Sequence, residues 1–204
     1  VSFTDGRNIR RGPTNDKWPL PTFGQVGCFR LVDCMNKNEQ AAIWELYKPR
    51  HTHSWNMLVL SYNHLASAES DPSLGFEIEY LWENFILRLW LYRMTVKSLT
   101  HIPHIADDAA NAIERFDLAF RENGHNTLKA LRDMIEHWDD YAAGKGRGPA
   151  ERWRDLDPWR SISVSRFARG KLHLELSKSY EAAIALRADA TCACRKFSDW
   201  YKSA

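Results

Sequence analysis

Four cysteines in 204 residues are too few to frame a disulfide-built domain. Cys192 and Cys194 stand two apart in a stretch that reads as helix, so their side chains point to nearly opposite sides; Cys28 and Cys34 have no CxxC partner set around them. Reduced thiols in a cytoplasm are the expectation. Charge of one sign is not in excess either, because 28 Lys and Arg face 26 Asp and Glu, and a net +2 does not label the whole protein a nucleic-acid binder. Long hydrophobic runs are missing. The most apolar one, Leu81 to Met94, is interrupted by Glu83, Arg88 and Arg93, which fits a buried helix and no membrane span. Val1 to Pro21 is polar, basic and proline-containing, so no charged-then-apolar leader is expected there. The chain also has no glycine-rich phosphate loop after a strand, no Gly-x-Ser-x-Gly elbow and no helical His-Glu-x-x-His. Nucleotide-dependent and serine-hydrolase chemistry therefore lose their footing, and no cofactor is expected.

An apolar fraction of 44% and nine tryptophans point to a folded globule with a substantial core. The pattern predicts a mainly α protein: a helical bundle of about five to six helices with a small β-hairpin before the C-terminal helix. Glycines and prolines from Gly6 to Gly24 read as an extended arm over 1–35, followed by one helical domain over 36–204. Asn36 or Asn38 caps a first helix that the Lys48-Pro49 step should end near Tyr47, with a second from about His51 to Ala68. After a break at Asp71-Pro72-Ser73, Leu74 to Leu99 is apolar nearly all round, which suits a central helix. Asp107 and Asp108 begin a helix toward Arg121, stopped at Glu122-Asn123-Gly124. Ser161 to Leu176 alternates as a two-stranded hairpin, and Ser177 to Tyr201 closes the chain as a helix with a seam of Leu186, Ala190, Cys194, Phe197 and Tyr201.

Between these, a helix capped by Asn126 and ended by Gly144 gathers Leu128, Leu131, Met134, Ile135, Trp138 and Ala142 into one stripe. Arg132 and His137 fall on its two flanks, about 140° apart on a regular helix. Asp133, four residues before His137, is spaced to accept a hydrogen bond from the ring and hold its orientation. Histidine moves protons near neutral pH, and an arginine fork matches a phosphate whose charge grows in the transition state. RNA brings its own nucleophile, the 2′-hydroxyl. Flanks so far apart do not reach one phosphate from a single helix, so a twofold homodimer with a composite cleft is expected.

Arg132, Asp133, three further residues and His137 resemble the Arg-polar-x-x-x-His signature of the HEPN superfamily. The resemblance implies a helical domain acting as a metal-independent endoribonuclease, often a toxin or phage-defence effector, with Arg132 and His137 as the catalytic pair and Asp133 in support. It also implies an antitoxin protein as a partner. Some HEPN toxins carry a tyrosine two residues after the histidine that a partner nucleotidyltransferase modifies; here that position is Asp139.

Charge is concentrated directly after this helix. From Gly144 to Lys171 eight basic residues face three acidic ones. Lys145, Arg147, Arg152, Arg154 and Arg160, interleaved with Trp153, Trp159 and Phe167, form a pattern that suits an RNA backbone with bases stacked on rings. The alternative function is a non-catalytic helical module of the same fold, binding RNA, nucleotide or a partner protein through this segment. His51, His53, His101, His104, Asp107 and Asp108 are a weaker constellation, because neither histidine pair has the i,i+4 spacing that sets two imidazoles side by side on a helix. No metal is therefore assigned to them.

Overall fold

In the computed structural model, which describes residues 35–68, 77–137, 140, 145 and 161–203, the first helix begins at a capping box. Asn36 Oδ1 accepts the backbone N–H groups of Asn38 and Glu39, each at 3.0 Å, and the Glu39 carboxylate accepts that of Asn36 at 2.8 Å. Helix α1 then runs Lys37–Ser67 without the expected stop, and Pro49 lies inside it. The proline ring removes one helical N–H and crowds the preceding turn, at a cost of about 3 kcal/mol. Aromatic packing on both sides of Pro49 offsets that cost. Trp44 lies 5.3 Å from Phe197 between ring centres, Trp55 meets Tyr92 edge-on at 5.2 Å, and Leu58 and Leu65 are fully buried. The arm expected over 1–35 falls outside the described residues apart from Met35, as does the break at Asp71-Pro72-Ser73. Val32–Ala204 make up one compact unit, to which every described residue belongs.

Helix α2 (Glu77–Lys97) buries Trp82, Phe85, Ile86, Leu89, Tyr92 and Val96 and touches each of the other described α-helices, so it is central as its composition predicts. Two 3-10 turns, Ser98–His101 and Pro103–Ile105, lead into α3 (Ala106–Ala119), whose first turn holds Asp107 and Asp108. The sequence reading has only a helix stop after α3. The structure has a small hairpin there, β1 (Arg121–Glu122) and β2 (His125–Asn126). Its two central residues, Asn123 at φ 49° and Gly124 at φ 82°, are both left-handed, the backbone that matches a tight turn to the twist of paired strands. Helix α4 (Thr127–Glu136) follows, with Asn126 Oδ1 accepting the Lys129 N–H at 2.9 Å.

The hairpin expected over Ser161 to Leu176 has a third strand. β3 (Ser161–Ile162), β4 (Arg166–Arg169) and β5 (Leu172–Glu175) form an antiparallel sheet in that order, because Ser163 and Arg166 exchange backbone hydrogen bonds and fold β3 back. Trp82 fastens this sheet to α2 by donating its indole N–H to the Ser163 carbonyl at 2.7 Å. Arg169 fastens it again: the side chain is 5% exposed, pairs with Glu79, and lies 3.7 Å from Glu83. Helix α5 (Leu176–Lys202) buries Leu186, Ala190 and Phe197 as expected, while Cys194 is half-buried and Tyr201, expected in the seam, is 44% exposed. Burial pushes the Cys194 thiol up to about 12, so it is protonated at neutral pH. Among the described residues no helix is long and apolar enough to cross a membrane.

One part-buried polar contact beside this core carries a pH dependence. His51 Nε2 and the Tyr92 hydroxyl are 3.0 Å apart between α1 and α2. Burial first, and then the Arg187 charge, push the His51 imidazole below its ordinary value of 6.5. In acid the unfolded chain binds a proton that the folded one resists. The stability contributed by neutral His51 is complete above pH 6.5 and is lost as pH falls through the lowered folded value. Thermal melts at neutral pH and on the acid side should show a larger fall for the wild type than for His51→Gln. His104, also lowered by burial and by Lys196, titrates in both proteins, so the difference isolates His51.

Candidate functional site

Helix α4 is amphipathic because Leu128, Leu131 and Met134 recur at helical spacing, and all three are buried against the centre of the bundle. Its start is tied to α2 and α3 through one carboxylate. Arg93 of α2, itself 9% exposed, donates to both oxygens of Asp117 at 2.7 and 2.5 Å, and Asn126, the cap of α4, donates its amide to the same carboxylate at 3.2 Å. A buried charge paired in this two-pronged way is stabilised by charge-assisted hydrogen bonds that a single contact would not supply. The position of α4 thus follows from residues outside it.

The Arg132 guanidinium projects from α4 onto Trp90 of α2, with Cζ 4.6 Å from the ring centre, and Arg93 lies at 4.7 Å from the same ring. Two carboxylates hold it in place: Asp133 at 2.9 Å and Glu136 one turn on. The side chain is 18% exposed, and its buried Nε has no acceptor. A guanidinium stacked on an indole and gripped by two carboxylates has few orientations left. Its charge is compensated on the spot, so a phosphate would have to compete with Glu136, the more exposed of the two acids at 41%.

His137 sits differently from expectation. The helix predicted to run to Gly144 ends at Glu136, and His137 is its C-cap with φ −123° and ψ 38°, its N–H donating to the Asp133 carbonyl at 3.0 Å. The imidazole is exposed and has no hydrogen-bonded partner among the described residues. Two expectations change as a result. The separation of about 140° holds only on a continuous helix, and His137 has left it. Asp133 is committed to the arginine beside it rather than to the imidazole, since a full positive charge at 2.9 Å outcompetes a ring that is no longer on the helix. Trp138, Ala142 and Gly144 lie outside the described residues.

Of the basic segment, Lys145 is exposed, while Arg147, Arg152, Arg154 and Arg160, with Trp153 and Trp159, lie outside the described residues. Its later part divides. Arg166 and Lys171 are exposed, but Phe167 is fully buried against Trp82 and Arg169 is committed to α2. Neither Phe167 nor Arg169 is free to meet a nucleic acid. Alternation along β5 carried part of this signal, because buried Leu174 is the register partner of buried Phe167.

The histidine constellation is dispersed. His51 turns to Tyr92, His104 stacks on Trp200 at 4.4 Å, Asp108 pairs with Lys196, and His53 and His101 line one groove. Among the described residues no three His, Cys, Asp or Glu side chains come together as a metal-ligand set. Sequence reasoning did not single out Trp90, whose ring organises both arginines, since a tryptophan in an apolar helix reads as core. We find no match to this chain among protein-family models, curated proteins or solved structures.

Proposed function

We propose that the chain is a HEPN-type, metal-independent endoribonuclease that works through Arg132 and His137 in a homodimer. The observation that carries this reading is an exposed, unengaged imidazole five residues from a guanidinium that is already fixed in position, both at the end of one helix. His137 exchanges protons with the 2′-hydroxyl and the departing 5′-oxygen, and Arg132 stabilises the charge that builds on the phosphate. Asp133 acts as the clamp of Arg132 in this scheme. Lys145, Arg147, Arg152, Arg154 and Arg160 track the RNA backbone. The dimer supplies a second copy of the pair, and the basic segment supplies positive charge against the local excess of carboxylate at Asp133 and Glu136. A role as a toxin or phage-defence effector in a cytoplasm, restrained by an antitoxin, belongs to the same proposal.

The experiment is labelled RNA with the purified protein and EDTA. The scheme expects cleavage to persist and the new ends to carry 2′,3′-cyclic phosphate. Recovery of 5′-phosphate ends, or loss of cleavage with the chelator, would refute it.

A second reading is favoured by the ion pairs themselves. Arg132 bound to Asp133 and Glu136 and stacked on Trp90 is also what a purely structural arginine does. A non-catalytic module of this kind binds RNA, nucleotide or a partner protein and leaves RNA intact.

A further inference from the structure

Helices α1 and α2 run antiparallel, with His51 against Tyr92 and Tyr62 against Phe85, and beside this seam lies an open groove of about 590 Å³. Single apolar side chains on a surface need no explanation, but convergent ones do. Leu46, Leu91 and Met94 converge here and are 72%, 49% and 39% exposed. Arg50 and Arg88 stand in the groove wall, and among the described residues no Asp or Glu lines it. Arg88 donates its Nε–H to Asn84 at 3.3 Å, and neither arginine has a carboxylate partner among the described residues. The groove is thus apolar and cationic together.

Three occupants are excluded by these features. A small molecule is held by burying most of its surface, which a groove with side chains this exposed does not do. A second copy docked face to face would set Arg50 and Arg88 of both copies against each other with no carboxylate between them. The chain's own residues 1–34 carry five basic side chains against three acidic ones, the wrong sign for this wall.

We propose that the groove receives an acidic amphipathic helix of a partner protein. It follows α1 from Ile43 to Met57, about 21 Å at 1.5 Å per residue, which a docked helix of about 14 residues spans. Leucine-type anchors spaced i, i+4 and i+7 enter between Leu46, Leu91 and Met94, and Asp or Glu side chains on the helix flanks reach Arg50 and Arg88. The binding uses neither Arg132 nor His137, so it stands or falls apart from the ribonuclease reading.

The test uses three labelled helical peptides of about 18 residues and the full chain, read by fluorescence anisotropy. The first carries leucines at i, i+4, i+7 and i+11 with glutamates elsewhere; the second replaces glutamate by lysine; the third keeps glutamate and replaces leucine by alanine. Micromolar binding of the first is expected, at least about tenfold tighter than of the other two. Arg50→Glu with Arg88→Glu should weaken it by about tenfold or more and improve the lysine peptide. Leu91→Ala should weaken it too, with the melting temperature of each variant close to the wild type. Equal binding of acidic and basic peptides, indifference to the arginine changes, or no binding up to about 1 mM overturns the proposal. So does a dimer in sedimentation that Arg50→Glu with Arg88→Glu strengthens or dissolves, since the groove would then belong to a second copy.

Discussion

Trp82→Ala should lower the stability of the fold by about 3–5 kcal/mol, the cost of deleting a large buried aromatic. The indole is fully buried in the central helix, meets Phe85 edge-on at 5.8 Å and lies 5.7 Å from Phe167. Truncation opens a cavity between α2 and the β3–β5 sheet that backbone elements on both sides cannot easily close. The Ser163 carbonyl also loses its indole donor, which adds about 1 kcal/mol when the group stays out of water. For a unit of this size each kcal/mol moves the midpoint by about 2–4 °C, so a melt should shift down by about 6–20 °C. Trp82→Phe separates the two effects, because it keeps most of the apolar volume and loses the hydrogen bond. A loss of about 1–2 kcal/mol is expected there. A melt of Trp82→Ala within a few degrees of the wild type would mean that Trp82 does not fasten the sheet to α2.

His137→Ala should reduce RNA cleavage by roughly 10²–10⁴-fold, the usual contribution of a positioned acid or base. Because the side chain is exposed and makes no hydrogen bond to the described residues, stability should change by no more than about 0.5 kcal/mol. Arg132→Ala should abolish cleavage to a similar extent but with a different signature. It leaves two carboxylates without their cation and Trp90 with Arg93 alone, so a further stability loss of about 1 kcal/mol accompanies the loss of activity. Arg132→Lys keeps the charge and loses the fork, and activity should not return. Rates unchanged in His137→Ala, with Arg132→Ala affecting only the melt, would assign the arginine to structure and favour the binding module.

The parts of this fold that were legible beforehand are those written in local periodicity. The stripe of Leu128, Leu131 and Met134, the cap at Asn126 and the apolar circumference of α2 follow from side-chain spacing alone, and each is where the pattern predicts it. What was not legible depends on distant partners. Pro49 reads as a stop because its neighbours in sequence give no hint that Phe197 and Tyr92 will hold the helix together on either side of it. Arg169 reads as part of a basic segment because its acceptors lie on α2, about ninety positions earlier in the chain. At the candidate site the identities of Arg132 and His137 were readable, whereas the end of the helix between them was not. A C-cap without glycine leaves no strong mark, and one residue of backbone rotation there reassigns Asp133 from the imidazole to the guanidinium.

Asp117 serves two masters at once, the interior Arg93 of one helix and the amide that opens another. Melting of either therefore drags the other along, since a freed Asn126 weakens the grip on a largely buried cation, and a freed cation loosens the cap. The stretch from the end of α3 through the Asn123-Gly124 turn to the beginning of α4 accordingly behaves as a hinge-less block. The direction in which α4 leaves its cap is thus set by a carboxylate on the helix before it.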